Sequence, residues 1–265
     1  MQRAEGRARL VLHRKAGATR ICELFQSGCA KLRLPSKPEP HAPQEAILIN
    51  TAGGLTGGDR IETEIVATNF ADAIVTTQAC ERVYRSTGDT ATVTTRLTVE
   101  ENARLAWLPQ ETILFNEGRL ARSLDVDLEG NAELLVVEAV LFGRKAMNET
   151  VRSGAFRDRW RIRRDGKLIF ADDARLEGNI AEKLARPCLL GGHMAMATLL
   201  LVADDTEHLL EPVREAIGDQ GGATAFEGKL VARLTAPDSL SLRRHLEPAL
   251  TILMRGRTLP KVWQI

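Results

Sequence analysis

Apolar and polar residues alternate with a period of two over most of the first two-thirds of the chain. Ala8, Leu10 and Leu12 alternate with Arg7, Arg9 and Val11. Ile61, Thr63, Ile65 and Ala67 oppose Glu62 and Glu64, and Ala91, Val93, Leu97 and Val99 oppose Thr92, Thr94, Arg96 and Thr98. Leu124, Val126 and Leu128 oppose Ser123, Asp125 and Asp127, and Trp160 and Ile162 alternate with Arg159, Arg161 and Arg163. Successive side chains of a strand point to opposite faces, so each run predicts a half-buried strand. Asp165-Gly166 separates two such runs and predicts a tight hairpin. No helical period is present over residues 45–178.

Three segments echo one another. Ala71-Asp-Ala-Ile-Val-Thr76, Ala103-Arg-Leu-Ala-Trp-Leu108 and Ala132-Glu-Leu-Leu-Val-Val137 each follow a polar turn at Asn69, Asn102 or Asn131, and they start 32 and 29 residues apart (71 to 103, 103 to 132). A strand-turn-strand unit repeated at that spacing stacks as a solenoid. A plain meander produces similar echoes, and stacking is the preferred expectation.

The last third differs. Met194 to Ala203 predicts a strand buried on both faces. Thr206 to Gly218 predicts a helix through Leu209, Val213 and Ile217, and Ala223 to Leu234 a further strand. Asp238 or Ser239 caps a second helix with Leu242, Leu246, Leu250 and Leu253 on one face. Pro212 and Pro248 fall inside these helices and predict a kink or a late start. Trp263 and Ile265 in the tail argue for docking. The expectation is a single domain over residues 1–265: mainly β, with stacked, solenoid-like (β-helical) strand layers and a small C-terminal β-α-β-α portion containing two helices.

With 44% hydrophobic and 27% charged residues, the composition suits a globular core. A net charge of +1 gives no bulk attraction to nucleic acid or anionic lipid, and little colloidal repulsion. Aggregation of the isolated chain is therefore expected, with the helix over Leu242 to Leu253 as a weaker candidate for a partner interface. Met1 to Lys15 carries five basic residues without an apolar run, which excludes a secretory signal, and no run reaches the roughly 18 apolar residues of a membrane span. Cys22, Cys29, Cys80 and Cys188 have neither disulfide nor zinc spacing, so a cytoplasmic protein with reduced thiols is expected.

The densest polar chemistry lies between Asn50 and Glu111. Gly53, Gly54, Gly57 and Gly58 crowd one loop that ends in Asp59. The loop lacks the Lys-Ser/Thr of a P-loop and the spacing of a dinucleotide fingerprint, so a tight structural turn is the stronger reading. Asp59, Glu81, Glu111 and Glu138 are acid–base candidates only if two of them meet. His13, His41, His193, His208 and His245 are scattered; His193, after Gly191-Gly192, is the one best placed to coordinate. The basic run Arg152, Arg157, Arg159, Arg161, Arg163 and Arg164 reads as a solvated face or a protein interface.

Gly53-Gly-Leu-Thr-Gly-Gly-Asp59, Thr76-Thr-Gln78, Val83-Tyr-Arg-Ser86 and Trp107-Leu-Pro-Gln-Glu-Thr112 resemble motifs of the urease accessory UreD (UreH) family. Leu141-Phe-Gly-Arg144 and Leu259-Pro-Lys-Val-Trp263 resemble it too, in the family's order, from about Phe25 onward. Thr51-Ala52 and Cys80-Glu81-Arg82 depart from the family pattern. The resemblance implies a urease maturation factor, a nickel-insertion chaperone and not an enzyme. It also implies that the chain acts with the accessory proteins UreF and UreG (a GTPase) on urease apoprotein, with nickel(II) in transit and no tightly bound cofactor. A plain adaptor that conducts no nickel and, more remotely, a β-solenoid hydrolase are the alternatives.

Within that role, Asp59 and Glu111 are expected to line the nickel path, with Thr77, Gln78 and Gln110 as neutral neighbours. Arg85, beside Ser86, is expected to hold a carboxylate, because a guanidinium cannot coordinate a cation. An Arg–carboxylate pair that only fixes the loop stands as an equal alternative.

Overall fold

The computed structural model of the chain describes residues 3–36, 39, 41–147 and 149–264. The chain starts with β1 (Glu5–Lys15), β2 (Ala18–Gly28), β3 (Ala30–Arg33) and β4 (Gln44–Asn50). It then winds in coils of two long strands and a short one: β5 (Arg60–Ala67), β6 (Asp72–Thr77) and β7 (Glu81–Val83), then β8 (Ala91–Val99), β9 (Arg104–Leu108) and β10 (Thr112–Leu114). A third coil has β11 (Arg119–Leu128) and a long β12 (Glu133–Phe142) that spans both remaining sides.

Stacking of these coils builds two facing sheets from the described residues. One has seven strands in the order β14-β13-β11-β8-β5-β1-β2, where β13 (Ser153–Arg164) and β14 (Lys167–Asn179) form the hairpin at Asp165-Gly166. The other has ten strands and includes the parallel series β12-β9-β6-β4. The sequence echo is one turn of this solenoid. Ala73, Leu105 and Leu134 are in register across β6, β9 and β12, and all three are fully buried. Two of the three asparagines stack too, as Asn102 N donates to Asn131 Oδ1 (2.8 Å) and Asn131 Nδ2 returns a bond to Asn102 Oδ1 (3.0 Å).

The main core lies between the sheets, with Leu10, Ile65, Leu97 and Leu124 facing Val75, Leu105, Trp107 and Val136. A second core covers the back of the ten-stranded sheet. After a short helix α1 (Ile180–Leu184), β15 (Ala195–Val202) leads to α2 (Leu210–Ile217), β16 (Gly221–Phe226), β17 (Lys229–Ala236) and α3 (Ser239–Leu253). Leu242, Leu246, Leu250 and Leu253 pack with Val213 and Ile217 against Leu199, Leu201 and Leu234. Each buried leucine stabilises the fold by about 1.5–3 kcal/mol. These leucines are thus core residues, which removes them as candidates for a partner interface.

Several expectations shift. Residues 223–234 are a hairpin, not one strand: Glu227 (φ 47°) and Gly228 (φ 68°) turn the chain back, so the C-terminal portion runs β-α-β-β-α. The helix expected from Thr206 begins as a 3₁₀ turn at Glu207–Leu209 and becomes α at Leu210. Pro212 is then its third residue, where no intrahelical N–H is needed. α3 runs through Pro248, and Asp238 caps it by accepting the Ser241 N–H at 2.7 Å. α1 lacks the length to show a helical period. Trp263 is fully buried and donates to the Leu108 carbonyl at 3.0 Å; Ile265 lies outside the described residues. The basic run is a paired face: Arg157 meets Asp173, Arg159 meets Asp125 and Arg164 donates to Ala132 O. No helix among the described residues is long and apolar enough to cross a membrane.

Candidate functional site

At one corner of the solenoid the coils turn from the long strands of the ten-stranded sheet into β7 and β10, and these turns lie over one another. Gln110 N donates to Thr77 Oγ1 (2.8 Å), Gln78 N to Leu48 O (2.8 Å) and Glu81 N to Glu111 O (3.0 Å). Pro109 explains the bend, since it has no N–H to continue the ladder of β9. The glycine loop closes the corner. A Cβ on Gly57 would stand 2.1 Å from Ser86 Oγ and 2.3 Å from Asp89 O, whereas Gly58 has φ +89°. Gly58 therefore needs glycine for its conformation, but Gly57 needs it for space. Asp59 secures the loop by accepting the N–H groups of Ala4 (2.8 Å) and Thr56 (2.7 Å).

Behind this corner is a cavity of about 300 Å³ between the two sheets. Exposed Gly53, Gln78 and Ala79 stand at its mouth, and buried Arg122 and Glu138 at its inner end. Two carboxyl groups line it. Glu81 is part-buried, and Asn50 Nδ2 donates to it from 3.2 and 3.1 Å from its two oxygens. Burial raises its pKa to about 7; the Asn50 bond opposes the rise and the Asp59 charge adds to it.

Glu138 sits in a buried ionic cluster. Arg122 reaches Asp158 through Nε (3.1 Å) and Nη2 (2.6 Å), and its Nη1 donates to Glu138 and to Thr112 Oγ1 (3.2 Å). Trp107 Nε1 donates to the other Glu138 oxygen at 2.9 Å, and Trp160 Nε1 to Asp158 at 3.1 Å. One guanidinium serves two carboxylates, and its bidentate engagement is with Asp158. Glu138 is consequently the group that takes up a proton: burial, with Asp158 adding, outweighs Arg122 and raises it to about 7.

A second ionic group lies against the same wall. Arg243 of α3 holds Glu111 by Nε–Oε1 (2.6 Å) and Nη2–Oε2 (2.8 Å), and Cys80 Sγ donates to Glu111 Oε2 at 3.3 Å. Burial works to raise the Glu111 pKa, but the Arg243 bonds overcome it and the result lies below the ordinary value. Burial, then the Glu111 charge, pushes the Cys80 thiol up to about 12.

Of the expected path residues, Thr77, Gln78 and Gln110 line the cavity; Asp59 and Glu111 are not among its lining residues. Arg85 is exposed and pairs with Glu117 (2.6 Å), leaving Glu111 to Arg243, and Ser86 donates to Asp89 O. His193 Nδ1 lies 2.9 Å from Thr235 Oγ1. Among the described residues, no three His, Cys, Asp or Glu side chains converge to hold a metal ion. The cavity can therefore offer a cation dispersed oxygen donors and two carboxyl groups, and not a closed cage.

Those two carboxyl groups predict a pH dependence. Their folded pKa values exceed the ordinary 4.5, so their stabilising contribution is full below pH 4.5 and is lost as pH rises through 7. For Glu81 the loss is up to about 3 kcal/mol, at 1.36 kcal/mol per pH unit. Glu81→Gln, which cannot ionise, should gain about that much on the wild type between pH 4.5 and pH 8. Parallel urea unfolding curves at the two pH values check this.

The family model described as UreD urease accessory protein matches residues 4–264. A protein of Agrobacterium fabrum named urease accessory protein UreD is 50% identical over 264 residues, covering all of this chain and 92% of the relative. One of Mesorhizobium japonicum with the same name is 52% identical over 268 residues, covering all of this chain and 95% of the relative. Urease accessory protein UreD 1 of Brucella abortus is 48% identical over 269 residues, with the same coverage.

Proposed function

Because the chain belongs to the UreD urease accessory family, and so serves urease maturation, we propose that it is a nickel-insertion chaperone without catalytic turnover. It acts in a complex with UreF and UreG and passes nickel(II) to the urease apoprotein through the corner cavity. The observation that carries this reading is a cavity with two carboxyl groups, Glu81 and Glu138, held among hydroxyl and amide groups at Thr77, Gln78, Gln110 and Thr112. Nickel accepts oxygen donors, and scattered ones bind it weakly enough to let it go. Both carboxyl groups titrate near neutrality, so an arriving cation displaces protons and a departing one is replaced by them.

Asp59 has a different part. Both of its oxygens already accept backbone N–H bonds, which supports a role in fixing the glycine loop at the cavity mouth. The reading is tested by deleting the chain from urease-producing cells grown at ordinary nickel concentrations. Urease should accumulate as apoprotein, seen by metal analysis of the purified enzyme. Fully nickel-loaded urease in the deletion strain would contradict the proposal.

A further inference from the structure

The carboxylate of Glu111 is completely buried, and the cation that neutralises it comes from a distant element. Arg243 presents Nε to one oxygen and Nη2 to the other, and Nη2 also donates to the Gln110 side-chain carbonyl. The Cys80 sulfur lies 3.3 Å from the same carboxylate. Gln110 is 5% exposed, and its amide nitrogen is buried without a partner among the described residues. Cys80 and Gln110 both line the cavity, so Glu111 and Arg243 sit directly behind its wall. A positive centre at the guanidinium is thus surrounded by two carboxylate oxygens and an amide oxygen, with a thiol beside them. Each of these is also a ligand type for a borderline divalent metal, and the sulfur favours nickel or zinc over magnesium or calcium.

We infer that Glu111, Gln110 and Cys80 form a latent site for a divalent transition-metal ion, whose cation position the Arg243 guanidinium occupies until the metal replaces it. The inference rests on the nickel-handling role proposed above and adds to it a site with a thiolate ligand and a built-in occupant.

Exchange is the physically accessible route. Leaving Glu111 buried without a positive partner costs far more than swapping one cation for another, so neither cation departs before the other arrives. Arg243 has somewhere to go: Glu247, one turn along α3 and 37% exposed, already has an oxygen 3.6 Å from Nη1. The side chain can swing outward along the helix while the helix stays, because Leu242 and Leu246 anchor it in the core. On ligation the Cys80 thiol gives its proton to solvent, and the metal–sulfur bond forms. No electron transfer is involved.

Nickel(II) titrated into the full chain, co-purified with its accessory partners where these keep it soluble, provides the test. The wild type should develop a thiolate-to-nickel charge-transfer absorption that Cys80→Ala lacks. Arg243→Gln, with the occupant removed, should bind nickel at least about tenfold more tightly, and Arg243→Gln/Glu111→Gln should lose that gain. A folded Arg243→Gln chain that binds no more tightly, or an absorption that persists in Cys80→Ala, overturns the inference. If Arg243→Gln does not fold, the wild-type and Cys80→Ala comparison decides alone. None of these measurements involves urease. Absence of the site therefore leaves the delivery role standing, and loss of the delivery role leaves the site to be judged by these titrations.

Discussion

Replacement of Arg122 by methionine is expected to destabilise the chain by about 3–5 kcal/mol, enough to empty the soluble fraction of most of the folded protein. The methionine fills the space of the arginine stem, so the effect isolates charge from packing. In the native protein Arg122 is 7% exposed and serves Asp158 and Glu138 at once. Without it, among the described residues Asp158 keeps its Trp160 bond and Glu138 its Trp107 bond, each buried without a positive partner. Glu138 can protonate at modest cost, since its pKa is already about 7. Asp158 carries most of the penalty. Arg122→Met/Asp158→Asn should therefore recover more than half of the lost stability, whereas Arg122→Met/Glu138→Gln should recover little. Urea unfolding of the three variants beside the wild type measures the difference. Equal recovery by the two double variants would contradict this division of charge.

That cluster also shows how far the sequence can be followed. The inward face of β11, read from Leu124, Val126 and Leu128, continues back through Arg122 to Leu120, which puts a charge at a core position. Glu138 likewise interrupts the apolar run of β12. A charge on an inward face signals a buried partner, and stacking in register supplies it, because Arg122 is paired with Asp158 between β11 and β13. Each charge is legible in this sense, but the pairing of one with the other is not. The coil repeat itself is legible because each turn reuses one strand-turn-strand pattern.

The meeting of separate elements leaves no such trace. Arg243 lies on a helix whose amphipathic pattern places its leucines and says nothing of Glu111, 132 positions away. Arg85, closer in sequence to the corner, is the expected carboxylate partner, but it faces outward to Glu117. Asp59 stands out at the end of the glycine loop, yet its bond from Ala4 depends on where β1 enters the sheet. The hairpin at Glu227-Gly228 is hidden because Phe226 and Leu230 continue the apolar run on either side of a two-residue turn.

The second large effect concerns delivery. The double variant Glu81→Gln/Glu138→Gln keeps the size and planar shape of both side chains. The new amide oxygen at position 81 can still accept from Asn50, and that at position 138 from either Trp107 or Arg122, which reach different oxygens of Glu138. Assembly should survive, because neither residue is exposed on the outer surface. The cavity nevertheless loses both of the carboxyl groups among its described lining residues, so its remaining oxygen donors are neutral. Anionic oxygen ligands contribute most of the attraction for a divalent ion in such a site. The decisive measurement is the nickel content of urease purified from cells carrying this double variant, taken together with co-purification of UreF and UreG on the variant chain. Passage through the cavity predicts an intact accessory complex and urease nickel reduced on the order of tenfold. Urease fully loaded with nickel beside an intact complex would contradict passage through the cavity.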